Sequence, residues 1–486
     1  MQKEYQVIII GSGFGGQVAA INLNKQGISD YLILERKHTM GGTWVQNTYP
    51  GAAVDIPSPL YSIAREPFNW SQLFAGQEQL REYTEYIIRK HKLREKTSTD
   101  SNVTKIEWIE SIYKWRIHIV NKGIVHAQFV VNASGPLSNP TIPKFKGMES
   151  FQGVTFHSGS WDHSYDYKGK RAAIIGSGAS AAQIIPKIAP DVAELHILQR
   201  TPPWVMPRYD YKFKEWQRSI LKNKTIYKLL RLCIYWWLEL RVIGLKYSKT
   251  LLKLLGRDIA IRHLNSQIKD PELRKKVKPK YTIGCKRVIL SDTLYPSYNL
   301  ENVSLYDKTS GIKEITKTGI TTVTGEELGL DLIIYSTGYN TVDNALPYEV
   351  IGRDGKSLAE EWEDFPRAYL GTSVPYFPNL FMILGPNTGI GHTSAIFIIE
   401  SQLKYIINSI QLLNKLKKKS IEVKESAEAR YTEHIHKEMA STVWQQGGCN
   451  SWYKSKSGKI VAMFPGFSFT FRRWTKKIKN DDHKVS

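Results

Sequence analysis

Cysteine is scarce in this chain: Cys233, Cys285 and Cys449 are the only three among 486 residues. They lie far apart and spell neither a disulfide framework nor a zinc-ligand pattern, so the sequence predicts unbridged thiols and a reducing compartment. Long apolar runs are also lacking. None approaches the about eighteen residues of a membrane-spanning helix. The chain enters a strand by Tyr5, which leaves no room for a cleaved leader. These features point to a cytoplasmic protein. Acidic residues are in deficit, 45 against 67 Lys and Arg, giving a formal net charge of +22. Such an excess suits nucleic acid, an anionic membrane or anionic cofactors. No nucleic-acid-binding module is recognisable, and most of the excess falls between Tyr211 and Lys280, so nucleic acid is set aside. An apolar content of 42% excludes wholesale disorder, and the length predicts two or three domains.

What the chain does have, twice, is a glycine-rich loop after an apolar run. Gln6–Ile10 leads into GSGFGG at Gly11–Gly16, and Ala172–Ile175 leads into GSGASA at Gly176–Ala181. Gly11, Gly13 and Gly16 spell G-x-G-x-x-G around Phe14. The first glycine permits the tight turn, the second lets backbone approach a pyrophosphate, and the third allows close helix–strand packing. The helix that follows offers free N–H groups to phosphates. YLILE is the partner strand, and Glu35 at its end can accept both ribose hydroxyls of an adenosine. The bland alternative is a tight turn with Glu35 merely solvated; the flanking strands and the spacing of the acid favour dinucleotide binding.

The second loop runs Gly176, Ser, Gly178, Ala179, Ser180, Ala181, with alanine in the third glycine's place. Its partner strand, ELHILQR, ends in Arg200 and then Thr201 instead of an acid. Arginine there suits a 2′-phosphate, which an acid would repel. The expected cofactors are FAD at the first loop and NADPH at the second. The expected fold is α/β, with two Rossmann-like dinucleotide-binding domains: a discontinuous FAD domain over 1–140 and 331–486, and an NADP domain over 151–330 with a helical insertion at 211–280.

Between these landmarks, Gly41–Tyr61 is a long loop rich in Gly, Pro and aromatics, a type that is usually functional. Thr43, Trp44 and Tyr61 in it, and Val103 at the start of an alternating strand, are assigned to cofactor binding. The loop's one carboxylate, Asp55, sits between Val54 and Ile56, where it is either turned outward or held by a cation. Residues 77–95 read as a surface helix. FVVNASG and DLIIYSTG are strands with small-residue endings that can bring backbone near a cofactor. The 211–280 segment reads as basic and aromatic helix, favoured as a cover over the active site, with peripheral contact on a membrane surface as the alternative. KPKYTIGCKRVILS sets Lys286 and Arg287 side by side in a strand or turn. LFMILGPNTGIGHTS leads into a helix at Ala395–Leu413, and His392 is read as bonding that loop rather than as catalytic. KLKKK at 415–419 reads as a solvated charge run. The tail, with CNSWY and FPGFSFTFRRW, is aromatic enough to pack. No metal ligands are expected.

FQGVTFHSGSWD, at Phe151–Asp162 between the two loops, resembles the fingerprint of the type I Baeyer–Villiger monooxygenases, F-x-G-x-x-x-H-[TS]-x-x-W-[PD]. Phe151, Gly153, His157, Ser158, Trp161 and Asp162 match. GGTW, YPGA with Asp55, GCKR, STG, GPNTGIGH and SWY extend the resemblance over nearly the whole chain, which is most similar to the branch containing 4-hydroxyacetophenone monooxygenase. The resemblance implies that NADPH reduces FAD, that O2 forms a C4a-peroxyflavin, and that the peroxide attacks a ketone to give an ester or lactone. It implies that Arg287 stabilises that negative charge beside Asp55. It implies that Lys286, Arg200 and Thr201 grip the NADPH 2′-phosphate and that Trp452 contacts the nicotinamide end. His157 and Trp161 are then hinge residues.

Three other readings compete with this one. N- or S-oxygenases and long-chain hydroxylases share the scaffold, and fingerprints do not fix substrates. A disulfide reductase would want a C-x-x-x-x-C pair, which is lacking. A basic membrane-associated protein with an inactive cofactor fold fits poorly with Arg200, Lys286, Arg287 and Asp55 all intact.

Overall fold

The apolar run before each glycine loop becomes an inner strand of its own parallel core. The computed structural model describes residues 3–340 and 346–486. Strand Lys3–Ile10 runs parallel to Tyr31–Leu34 on one side and to Gly123–Asn132 on the other, within an eight-stranded sheet. Strand Arg171–Ile175 runs parallel to Glu194–Leu198 and Leu332–Tyr335 in a five-stranded sheet. Val7, Ile8 and Ile9 are fully buried, as are Ala172, Ala173 and Ile174. Strands covered on both faces cannot alternate, which is why these runs are continuously apolar.

The two loops are built alike. Ile10 pairs with Leu34, and Ile175 with Leu198, so each glycine turn begins level with the end of its partner strand. Gly11 N–H donates to Leu34 O at 2.8 Å and Gly176 N–H to Leu198 O at 3.0 Å. Both glycines have positive φ, +106° and +125°. A Cβ on Gly11 would stand 2.4 Å from Ala133 O, and one on Gly176 2.3 Å from Ser336 O. Ala133 and Ser336 belong to the FVVNASG and DLIIYSTG endings. The small residues of those strand ends let a neighbouring turn pass at backbone distance.

Leu332–Tyr335 lies between Arg171–Ile175 and Val154–His157 in the second sheet. The chain therefore returns to the first sheet after residue 335, not at 331 as the sequence suggested; Glu349–Ile351 and Leu380–Met382 pair there. A buried parallel strand reads the same in either sheet, so its pattern could not assign it. The surface helix expected over 77–95 spans Gln77–Lys90 and buries a stripe of Leu80, Tyr83, Ile87 and Ile88. The helix beginning at Ala395 continues to Leu416.

The 211–280 segment is helical, with Lys224–Glu239 the longest piece. Its inner stripe packs on the first nucleotide domain, although the segment is inserted in the second. Arg231 Nη1 donates to Pro59 O at 2.7 Å and Ser62 Oγ at 2.9 Å. Trp70 Nε1 donates to the Tyr227 hydroxyl at 3.0 Å, and Tyr235 stacks on Phe397. Among the described residues no helix is long and apolar enough to cross a membrane.

One expectation is overturned outright. Cys285 and Cys449 are joined by a disulfide across 164 residues, and only Cys233 is free. Wide spacing says nothing about spatial proximity, so scarcity of cysteine did not exclude a single bridge.

Candidate active site

At the first loop, Ser12 N–H and Oγ both donate to Glu35 Oε2, at 3.0 and 2.6 Å. Lys37 N–H donates to Glu35 Oε1 at 2.9 Å. The carboxylate is buried and oriented at the strand end, not solvated. Gly13 and Gly42 approach so closely that a Cβ on Gly42 would stand 2.7 Å from Gly13 Cα. Phe14, Trp44 and Tyr61 form one aromatic wall. Phe14 meets Tyr61 edge-on at 5.8 Å, Trp44 meets it at 5.9 Å, and Trp44 Nε1 donates to its hydroxyl. Burial pushes the Tyr61 phenol up to about 12. Thr43 opens the short helix that carries Trp44. Val103 is buried in the same apolar cluster as Ile10 and Leu34, so its surroundings are core.

At the second loop, Gly178 has nothing within 4 Å of a would-be Cβ. Ala179 begins the helix, and Ala181 is buried against the sheet. Ser177 Oγ donates to Thr201 O at 2.8 Å, which ties the loop to the end of the Arg200 strand. Lys286 leans over the Tyr281 ring at 5.3 Å. Burial holds its ammonium below the ordinary lysine range, and the Arg200 charge lowers it further. The two cations lie near enough to repel each other, which an anion between them would relieve. Tyr49 lies beside Ser180 at the domain junction and donates to Gln183 Oε1 at 2.9 Å.

Lys286 and Arg287 lie in a turn before the short strand Ile289–Leu290, and they diverge, as the separate roles implied by the resemblance require. Arg287 turns to Asp55, with Nε donating to Oδ2 at 2.8 Å and Nη2 to Oδ1 at 2.6 Å. Arg287 keeps 37% of its side chain open and Asp55 31%, so the pair lines a cleft rather than sitting in a core. The Asp55 charge raises the arginine beyond its already high range, outweighing the burial that works against it. The guanidinium is permanently charged.

Two residues near this pair escaped the sequence reading. Tyr453 is buried at 3%. Burial raises its phenol, Arg287 lowers it and Asp55 raises it, which puts the ring beside the pair. Its neighbour Trp452, the residue expected at the nicotinamide end, is 47% exposed and touches Tyr453 edge-on at 4.7 Å. Arg241, just after the insertion helix, stacks over Trp237 at 4.4 Å. Burial, then repulsion from Arg287, lowers it to about 10, with Asp55 acting the other way. No motif marks Arg241, and Tyr453 closes the SWY motif without a role of its own; only the fold brings them here.

The FQGVTFHSGSWD stretch contributes an edge strand, Val154–His157, to the second sheet. His157 Nδ1 accepts from Gly159 N–H, and the ring packs against Tyr339. The Tyr339 hydroxyl donates to Asn47 Oδ1 at 2.8 Å, which reaches the first domain. Trp161 is buried between Phe156 and Tyr167. His392 is fully buried, 3.3 Å from Glu239 of the insertion helix. It faces a carboxylate there instead of bonding its own loop.

A family profile described as pyridine nucleotide-disulphide oxidoreductase matches residues 8–232. The chain is 42% identical over 480 residues to a protein of Pseudomonas aeruginosa named Baeyer-Villiger monooxygenase, covering 98% of this chain and 90% of that one. Its fold is similar to that of cyclohexanone monooxygenase from Rhodococcus sp. Phi1 bound to NADP+, with a TM-score of 0.90 at 25% identity over 100% of each chain. It is also similar to OTEMO in complex with FAD and NADP, with a TM-score of 0.89 at 25% identity over 99% of each.

Proposed function

The chain belongs to the Baeyer–Villiger monooxygenases, and from that premise we infer how its own residues divide the reaction. It is an NADPH- and FAD-dependent enzyme that inserts one oxygen atom from O2 into a ketone, giving an ester or lactone. The first loop fits FAD. Its positive-φ glycine leaves no room for a side chain, and Glu35 is oriented at the ribose position. Gly11, Gly13, Phe14, Gly16, Thr43, Trp44 and Tyr61 would hold that cofactor. When bound, FAD supplies the redox centre that accepts hydride from NADPH and reacts with O2.

The second loop, Gly176–Ala181, would hold NADPH, with Arg200, Thr201 and Lys286 on its 2′-phosphate. The paired cations support this, since an anion between them relieves their repulsion. Trp452 would stand at the nicotinamide end.

The observation that carries the mechanism is the bidentate Arg287–Asp55 pair. Oxygen insertion builds negative charge on oxygen. A fixed guanidinium beside that oxygen stabilises the charge without reorganising. Asp55 fixes the plane of the guanidinium and offsets its desolvation. Tyr453 borders the pair and excludes water from that side.

The deciding experiment gives the purified flavoprotein NADPH, air and a panel of ketones, with mass spectrometry for the gain of one oxygen atom. An ester or lactone from at least one ketone is the expected result. NADPH consumption with no oxygenated product from any ketone, and N- or S-oxides from amine or sulfide probes instead, would sink it. The motif set from GGTW to SWY supports placement beside 4-hydroxyacetophenone monooxygenase. Aryl methyl ketones should then outperform cyclic ones. The NADPH requirement favours the cytoplasm, while the Cys285–Cys449 bridge weighs against a strongly reducing setting.

A further inference from the structure

We propose that the outer face of the insertion helix Lys224–Glu239 docks on an anionic lipid surface. The helix is amphipathic in an unusual sense: both faces are apolar. Tyr227, Ile234, Tyr235 and Leu238 form the buried stripe against the first nucleotide domain. On the opposite side stand Ile226, Leu229, Leu232, Trp236, Trp237 and Leu240, each at least 40% exposed. At 100° per residue these six span one arc of the helix, and the free Cys233 lies within it. More than half of the large apolar side chains found exposed among the described residues fall between Tyr209 and Leu255. A monomer seldom exposes so much contiguous apolar surface without a partner.

The patch crosses from the insertion onto the end of the chain. Trp236 meets Phe469 at 6.0 Å, Phe469 stacks on Phe467 at 5.0 Å, and Phe467 stacks on Tyr247 at 6.2 Å. A surface assembled from two distant segments is a property of the fold, not of one frayed helix. Its length also fits. Sixteen residues make a helix about 24 Å long, short of a bilayer's hydrocarbon core but suited to lying along its surface.

The charge around the patch selects the partner. Lys222, Lys224 and Lys228 are exposed along its near end, and Lys249 and Lys253 continue the fringe toward Leu254 and Leu255. Two acids beside this surface are already engaged. Glu239 is buried against Ser468 and His392, and Glu438 is paired with Lys246. A second copy of the chain would bring an identical cationic fringe against this one, in a molecule of net charge +22. Anionic headgroups complement the fringe, and the apolar arc then enters the boundary between headgroups and acyl chains.

The single free thiol provides the reporter. Cys233 carries an environment-sensitive maleimide dye, and the flavoprotein is mixed with phosphatidylcholine vesicles with or without phosphatidylglycerol. The expected result is flotation with the anionic vesicles, a blue-shifted and brighter dye, and reversal by salt. Changing Lys222, Lys224 and Lys228 to Gln should weaken binding by roughly 10²-fold, at about fivefold per cation. Leu229→Asp with Trp236→Ser should abolish the blue shift. Both variants should keep their bound flavin and NADPH oxidation, which separates lost docking from lost folding. Absence of flotation, or flotation unchanged in both variants, overturns the proposal. So does a salt-stable dimer without lipid in which Cys233 is protected from the dye, because the face would then be an interface between copies.

Discussion

Arg287 and Asp55 meet edge to edge through two hydrogen bonds, and 232 residues of chain separate them. One comes from the long loop after the first glycine turn, the other from the turn that follows the insertion. The pair thus joins the two nucleotide-binding halves.

Removing Arg287 should split the two half-reactions. Arg287→Ala should still bind flavin and still be reduced by NADPH, because hydride transfer builds no negative oxygen. Ketone oxygenation should fall by roughly 10²–10³, the scale for losing one preorganised stabiliser of developing charge. The NADPH consumed should emerge as hydrogen peroxide. Stopped-flow flavin reduction beside product yield checks both halves. Reduction lost with coupling retained would mean that Arg287 serves the nicotinamide.

Arg287→Lys adds a test by pH. The native guanidinium, raised further by Asp55, stays charged throughout the working range and contributes no titration of its own. A lysine in the same cleft is open to desolvation, which lowers its pKa. The variant should therefore acquire a basic limb in the coupling profile, with product yield falling as pH rises while flavin reduction stays level. A flat profile would argue that charge at this position is not what matters.

Preference for NADPH should rest on Arg200 and Lys286. Charge-assisted bonds are worth about 1.5–3 kcal/mol, so Arg200→Ala should raise KM for NADPH roughly 10- to 100-fold and leave KM for NADH nearly unchanged. Lys286 sits below its ordinary range in the free protein, through burial and the Arg200 charge. Binding a phosphate favours the protonated form, so NADPH affinity is full below that lowered pKa and weakens as pH rises through it. NADH affinity should lack this dependence. Equal use of the two cofactors by the parent enzyme would end the assignment.

The first loop separates two kinds of glycine. A Cβ on Gly11 meets Ala133 O at 2.4 Å in a positive-φ turn, so Gly11→Ala should destabilise the protein itself. Gly13 has negative φ, and a Cβ there comes no nearer than 3.5 Å to Gly42 Cα. Gly13→Trp should fold and yet be colourless, because the indole fills the pyrophosphate approach. A yellow, normally flavinylated Gly13→Trp protein would move the flavin elsewhere.

The sequence made both glycine loops and Glu35 legible, because each is a local pattern with a local cause. Turn geometry needs the glycines, and the strand end needs the acid. What stayed hidden depends on contacts between distant segments. Arg241 carries no motif and Tyr453 only ends SWY, yet folding brings both beside Arg287. The strand Leu332–Tyr335 looks like any doubly covered strand, so its sheet could not be read. The insertion's two apolar faces sum to an ordinary amphipathic sequence with a basic flavour, and only the packing of Tyr227 and Ile234 shows which side is left over.

The Cys285–Cys449 bridge was hidden by the wide spacing of its cysteines. Cys285 lies two residues before Arg287, and Cys449 lies four before Tyr453, so the bond ties the turn bearing the cation to the loop bearing the buried phenol. Thr282 N–H donating to Gly447 O fastens the same two segments beside it. Denatured but unreduced protein should take up one maleimide, at Cys233, and reduced protein three. Closing a loop of this length removes much chain entropy, so Cys449→Ser should lose about 2–4 kcal/mol of stability, read as a lower midpoint in denaturant. If the bond also holds the site, the variant's oxygenation should become less coupled, with more hydrogen peroxide per NADPH, while flavin content stays whole. Three maleimides on unreduced protein would show that the bridge does not form. A fall in stability without a change in coupling would confine the bridge to the fold.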